Sequence, residues 1–225
     1  MSMTGQRPDL GHVVGLRNGA VVHLRPIRPD DAPRLFEFCG RLSPQTVYQR
    51  FFTVRRPRPE DAATLSEVDG QMAIVAEHEI GPRSELVGVA RYALGPEDQT
   101  PDLGLVVEDA WQGLGLGSVL LTEILRAGEE HGFSTFHAEI LADNARMRGL
   151  LASSVDILDR STDHGVITVV FRRPLTSSAL DLTHHPQPHV ASDDAANVTA
   201  TEIVVDGGTT GAPYGAPIHT PLTTQ

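Results

Sequence analysis

The sequence predicts an α/β (α+β) domain followed by an unstructured tail, and three observations carry that reading. Between residues 19 and 173, short runs rich in β-branched residues are interspersed with segments of helical apolar spacing. A glycine-rich stretch, Gln112-Gly113-Leu114-Gly115-Leu116-Gly117, joins one such strand to one such helix. From Pro174 onward Pro, Thr, Ala, Gly and Asp dominate. Large apolar side chains there are too scarce to offset the entropy of ordering the chain.

In chain order, residues 1–18 read as irregular, ending at the Asn18-Gly19 turn signal. Val21–Leu24 reads as a first strand. Asp30 is the expected N-cap of a helix over Ala32–Cys39, with Gly40 as its stop. Ser43-Pro44 opens a second helix through Phe52, on which Tyr48, Phe51 and Phe52 share a face. A short helix follows over Pro59–Val68. Met72–Glu77 and Leu86–Tyr92 read as strands joined by a turn containing Gly81-Pro82. Leu103–Val107 is short and apolar throughout, as a buried central strand should be. Over Ser118–His131 the apolar positions 120, 121, 124, 125 and 127 form one stripe, and Gly132 ends the helix. A strand at Phe136–Leu141, a helix at Asn144–Ser153 and a strand at Val166–Phe171 complete the domain, expected over 19–173. The acidic tail, 174–225, is expected to be disordered, with Thr201–Val205 the one stretch of strand-like composition.

Composition narrows the function classes. The net charge is −11 and all 18 basic residues are arginine, with none after Arg173. A nucleic-acid partner would require a basic face to neutralise phosphates, and none is legible. No run reaches the roughly 18 apolar residues of a membrane span, and Met1–Leu10 lacks the apolar core of a secretory signal. The single cysteine, Cys39, excludes an intramolecular disulfide and cannot by itself build a structural zinc site. A cytoplasmic protein without nucleic acid, membrane or metal partners is expected. The tail histidines His184, His185 and His189 are not expected to form a metal site.

The glycine stretch is the feature with chemistry in it. A helix start presents amides without intrahelical partners and a partial positive charge, both of which favour phosphate. Glycines let the backbone approach the anion. An NTPase loop requires Gly-Lys-Ser/Thr, and this chain has no lysine. A dinucleotide fingerprint requires glycine at 118 or 120, where Ser118 and Leu120 stand. What remains is Gln112-x-x-Gly115-x-Gly117.

That pattern, after an apolar strand and before an amphipathic helix, resembles the pyrophosphate-binding signature of the GNAT (GCN5-related) N-acetyltransferases. The resemblance extends to Leu24-Arg25-Pro26-Ile27-Arg28-Pro29-Asp30-Asp31 and to Ala138-Glu139-Ile140-Leu141-Ala142-Asp143-Asn144-Ala145-Arg146-Met147. Leu42-Ser43-Pro44…Tyr48-x-Arg50-Phe51-Phe52 and Asp163-His164-Gly165-Val166-Ile167-Thr168 look like bacterial protein lysine acetyltransferases within that family. The resemblance implies a central mixed, mostly antiparallel sheet flanked by helices, whose fourth and fifth strands splay apart. It implies acetyl-CoA as co-substrate. Pantetheine would pair with the backbone at Leu105, Val106 and Val107, and the amides of Gln112, Gly113, Leu114, Gly115, Leu116, Gly117 and Ser118 would hold the pyrophosphate. Asn144 matches the asparagine that contacts the CoA arm. The acceptor would be a primary amine, with a protein lysine expected. A small-molecule amine, or a catalytically weak acetyl-CoA sensor, are the alternatives.

Transfer to lysine requires a neutral amine, and deprotonation near pH 7 costs roughly 4–5 kcal/mol from a reference pKa of about 10.4, so a base is useful. In the lysine acetyltransferase subgroup a glutamate at the start of the fourth strand serves, and here Asp102 stands in its place, one methylene shorter. Glu139 on the fifth strand is the second carboxylate candidate. Leu151 occupies the position where many relatives carry a tyrosine general acid, so no acid is assigned. Trp111 and Cys39 are expected to pack, and Glu108 to be a solvated turn residue. Arg55-Arg56-Pro57-Arg58 is expected to be a solvated face, with the 3′-phosphate of CoA as its alternative partner.

Overall fold

The computed structural model describes residues 11–66, 71–95 and 100–174. Its strands are β1 (His12–Gly15), β2 (Val21–Pro26), β3 (Gln71–Ile80), β4 (Arg83–Ala93), β5 (Asp102–Val107), β6 (Phe136–Leu141), β7 (Asp156–Asp163) and β8 (Val166–Arg172). Its helices are α1 (Ala32–Arg41), α2 (Pro44–Phe51), α3 (Pro59–Ser66), α4 (Leu116–Glu130) and α5 (Ala145–Ser154). The strands form one sheet in the order β1-β2-β3-β4-β5-β6-β8-β7. All neighbours are antiparallel except β5 and β6, which are parallel and share a single register pair, Asp102↔His137. The expected mixed sheet and its splay are therefore present, with β5 and β6 as the parting strands.

Alternation along the strands divides the core in two. Leu103, Leu105 and Val107 of β5 and Phe136, Ala138 and Ile140 of β6 join the α4 stripe Leu116, Leu120, Leu121, Ile124 and Leu125 on one side of the sheet. On the other side Val75, Val89 and Val106 pack with Phe38 of α1, Val47 of α2 and Leu65 of α3. Each fully buried Leu or Phe stabilises the fold by about 1.5–3 kcal/mol.

Some boundaries differ from expectation for local reasons. His12–Gly15, expected to be irregular, forms β1 at the sheet edge, four residues with alternate exposure paired to β2. Gly40 does not stop α1: Arg56 Nη1 donates to the Cys39 and Gly40 carbonyls at 2.9 and 3.1 Å. A distant guanidinium thus satisfies the end that glycine was expected to close. The carboxylate at the α1 start is Asp31, not Asp30; its Oδ2 accepts from the Arg28 amide at 2.8 Å. β7 was not expected because its sequence, Asp156-Ile-Leu-Asp-Arg-Ser-Thr-Asp163, is mostly exposed and polar. It pairs with β8 around a tight turn in which His164 and Gly165 both have positive φ, 46° and 84°. Val68, the expected tail and its Thr201–Val205 stretch, and the tail histidines lie outside the described residues.

A charged cluster ties α1 to the sheet. Arg25 of β2 forms a bidentate pair with Asp31 at 2.6 Å on both arms and also bonds Glu77 of β3. Arg34 of α1 reaches Glu77 at 2.5 Å. Burial would raise the carboxyls of Asp31 and Glu77, but the hydrogen bonds and charge of Arg25 and its neighbours more than offset this and hold both below the ordinary value. Carboxyls lowered in the folded state contribute stability that is present above their unfolded pKa and lost as pH falls through the folded values. The unfolding midpoint is therefore expected to drop as pH is lowered from 5 toward 3, and to drop less steeply for Asp31→Asn, measured by thermal unfolding across that range.

Gly128 of α4 is a packing requirement. A Cβ there would stand 2.3 Å from Phe136 Cζ, and Phe136 is fully buried. Alanine gains about 1 kcal/mol of helix propensity over glycine, but overpacking against a ring with nowhere to move costs about 1–3 kcal/mol. Gly128→Ala is expected to lower the unfolding midpoint; an unchanged or raised midpoint would show that β6 yields.

Candidate active site

The site is built where β5 ends and α4 begins. Gln112 follows β5 in extended conformation, and Gly113 and Gly115 have φ of +74° and +91°. Those angles are strained for any residue with a Cβ. Nothing lies within 4 Å of a Cβ built on Gly113, and only Arg17 Nε, at 4.0 Å, approaches that of Gly115. Gly115 caps α4 without a side chain. The first-turn amides of Leu116, Gly117 and Ser118 are those a helix start leaves without intrahelical partners. α4 begins two residues earlier than expected, so Leu116 and Gly117 belong to its first turn. A glycine-led helix start is present where the sequence located it.

Side chains around the loop brace it. Gln112 Nε2 donates to Val107 O at 3.1 Å and its Oε1 accepts from Arg146 Nη1 at 2.8 Å, linking β5 to α5. Asp109 accepts from Ser43 Oγ (2.6 Å), Ser43 N (2.9 Å) and Thr46 Oγ1 (2.8 Å). Burial would raise its carboxyl, but these bonds lower it. Glu108, expected to be solvated, instead pairs with Arg41 of α1 at 3.1 Å and is only 15 % exposed. Both acids after β5 thus anchor the α1–α2 corner to the loop. Trp111 packs against the core and lies tilted on His78, ring centroids 4.6 Å apart. The β1–β2 turn also reaches the loop, Arg17 N donating to Leu114 O at 3.3 Å.

β5 and β6 part above the Asp102↔His137 pair, and His137 N donates to Pro101 O at 3.0 Å just below it. Leu105, Val106 and Val107 pair with β4 on one side and border the opening on the other. Across it, Asn144 is 2 % exposed and caps α5, its Oδ1 accepting from Met147 N at 3.0 Å. Its Nδ2 is buried without a hydrogen-bond partner. A buried orphan donor is costly unless a ligand acceptor meets it. The glycine seat, the opening and this donor all fit a phosphate-ended ligand with a strand-like arm.

Cross-strand pairs share a face, so Asp102, paired with Ala93 and His137, lies on the side of α1 and α3, as do Arg91 and Val106. Glu139, two residues beyond His137, lies on that side too and pairs in register with Thr168. Asp102 Oδ1 is 3.5 Å from His137 Nε2. On the same side of the sheet is a small pocket lined by Phe38, Cys39, Arg50, Phe51, Arg91 and Val106 among others. Burial pushes the Arg50 and Arg91 guanidiniums down to about 10, and the charge of Asp102 offsets part of that at both. Arg91 also bonds Gln71. Burial pushes the Cys39 thiol up to about 12, so it is a small apolar core group there rather than a nucleophile. Arg55 and Arg58 pair with Asp61, and Arg56 caps α1, so the basic run is structural.

Sequence reasoning missed His137, Arg146, Arg17 and the buried pair Arg50 and Arg91 as site residues. Period-two alternation does put His137 and Glu139 on one face, but the register that brings Asp102 to His137 is a tertiary fact.

The chain matches the profile of the acetyltransferase (GNAT) domain over residues 22–154. It is 34 % identical over 155 residues to acetyltransferase PA5475 of Pseudomonas aeruginosa, covering 67 % of this chain and 83 % of that protein. It is 30 % identical over 142 residues to acetyltransferase Pat of Mycolicibacterium smegmatis, covering 61 % of this chain but only 42 % of that longer protein. Among solved structures, the GNAT domain of S. lividans PAT superposes with a TM-score of 0.65 at 29 % identity, over 74 % of this chain and 99 % of that domain. With the splayed sheet and glycine-capped α4 in place, the chain belongs to the GNAT acetyltransferase family.

Proposed function

We propose that this protein binds acetyl-CoA along the β5–β6 opening and transfers its acetyl group to a primary amine, with a protein lysine as acceptor. The observation that carries the reading is the coincidence of three features on one path. These are the glycine-led helix start at Gln112–Ser118, the strand edge at Leu105–Val107 and the buried Asn144 Nδ2, which lacks a hydrogen-bond partner at the start of the helix after β6. Pyrophosphate takes the seat, where amides and helix dipole favour negative charge. The pantetheine amides take the place of a strand against β5, and Asn144 donates to the arm. Asp102 and Glu139 supply negative charge at the closed end, where the acceptor ammonium must lose its proton. The amine nitrogen then attacks the thioester carbonyl, the C–S bond breaks and CoA leaves. The lysine assignment rests on the motifs at residues 42–52 and 163–168, which resemble those of bacterial protein lysine acetyltransferases. Having no lysine, the protein cannot modify itself at that residue.

The test is release of CoA from acetyl-CoA against a panel of lysine-containing proteins and a panel of small amines. Turnover confined to the protein panel is expected. Turnover only with small amines moves the acceptor to the metabolite class, and tight acetyl-CoA binding with no turnover on either panel removes the transfer reading.

Asn144→Asp keeps the cap to Met147 N while replacing the Nδ2 donor with a carboxylate oxygen, so it removes the donor and adds a negative charge. The unfolding midpoint is expected to hold within a few degrees, while acetyl-CoA binds about tenfold more weakly. Quenching of the single tryptophan, Trp111, beside the loop is the readout.

A further inference from the structure

We propose that His137 is the general base of the transfer, accepting the amine proton at Nδ1 while the charge of Asp102, on its Nε2 side, stabilises the imidazolium. The inference rests on the acetyl-CoA reading above and names the atom that takes the proton. Three observations lead to it. First, the pair stands at the closed end of the opening. From Val107 to Asp102 β5 advances about 17 Å, so an arm laid along it from the α4 start brings its thioester toward this end. Second, both groups are partly accessible, with side chains 30 % and 19 % exposed, whereas Phe136 and Ala138 on either side of His137 are fully buried against the α4 face. Third, the chemistry is complementary. Imidazole is the side chain best suited to proton transfer near neutral pH. A carboxylate oxygen 3.5 Å from the opposite nitrogen balances the charge of the imidazolium that forms. Asp102 is one methylene shorter than glutamate, and His137 restores the lost reach with a ring.

The charged groups on this face include Asp102 of β5, Glu139 of β6, Arg91 of β4, Arg50 of α2, Asp159 of β7, paired with Val170 next to His137, Asp163 of β7, and Arg172 of β8, which is held by Asp156 at 3.4 Å. In the reaction the acceptor ammonium gives one proton to His137 Nδ1, leaving a neutral amine. Its nitrogen bonds to the acetyl carbon. As the tetrahedral adduct collapses, the C–S bond breaks, the second ammonium proton passes to sulfur, and amide and CoA thiol result. Imidazolium then releases its proton to solvent.

The experiment measures kcat/KM against pH for wild type, His137→Gln, His137→Asn, Asp102→Asn and Asp102→Glu with an acceptor from the panels above. Unfolding midpoints and Trp111 quenching by acetyl-CoA are read on every variant. Both His137 variants are expected to lose about 10²–10⁴-fold in kcat/KM and the ascending limb of the profile, with acetyl-CoA binding unchanged. Asp102→Asn is expected to keep the ascending limb while losing less in kcat/KM than the His137 variants, and Asp102→Glu to recover activity. The proposal is overturned if the His137 variants keep the limb and lose less than about threefold while Asp102→Asn abolishes it, because Asp102 is then itself the base. Wild type that binds acetyl-CoA but turns over no acceptor removes the transfer reading and the base with it.

Discussion

Two parallel strands that pair once and then diverge leave a row of backbone groups facing a gap, and a sheet closes such a gap unless its flanking elements hold it open. In this protein the holding is done from outside the gap. β5 is hydrogen-bonded to β4 along its whole length, and β6 to β8 along its whole length. Each parting strand therefore belongs to a different antiparallel half. α4 lies over both halves, with its first turns on β4, where Gly88 admits Leu116 and Leu120, and its end on β6, where Gly128 admits Phe136. Both contacts require the absence of a Cβ, so the helix that carries the anion seat also sets the width of the opening beside it.

The same helix start gains its stiffness from residues that are not ligands. Asp109 draws the Ser43–Thr46 corner of α2 against the loop, Glu108 draws in Arg41 of α1, and Gln112 spans to Arg146 of α5. Three helices from both sides of the sheet thus converge on a few residues of loop. An amide seat is worth little for binding unless its geometry is fixed before the anion arrives, and this bracing fixes it without placing a side chain in the seat.

What could be read from the sequence follows from which interactions are local. The glycine seat, the α4 stripe and the short apolar β5 are written in contiguous residues, and the family motifs added the splay. The edge strands were not legible: β1 is only four residues long, and β7, exposed on most of its length, carries no apolar alternation. Gly40 misled for a related reason: its cap is supplied by Arg56, sixteen residues away. At the catalytic end Asp102 and Glu139 were visible as carboxylates at matching positions. His137 was not, since its significance depends on a register pair between strands separated by a whole helix.

That register pair bears on the departure from the subgroup pattern at the base position, aspartate at 102. If aspartate at 102 were merely a weakened base, its surroundings would be expected to resemble those of an ordinary strand terminus. Instead two guanidiniums are buried on its side of the sheet, each stabilised by its charge, and an imidazole lies 3.5 Å away on the strand that bounds the opening. Burying Arg50 and Arg91 is costly, as their downward shift to about 10 shows. Such an expense at a strand end is intelligible if the carboxylate has to remain fixed and charged beside a ring that cycles between neutral and protonated forms. On the proposed reading, shortening the side chain by a methylene moves the proton-accepting atom from the carboxylate to the imidazole, and the departure becomes a change of base beside the same β5–β6 opening.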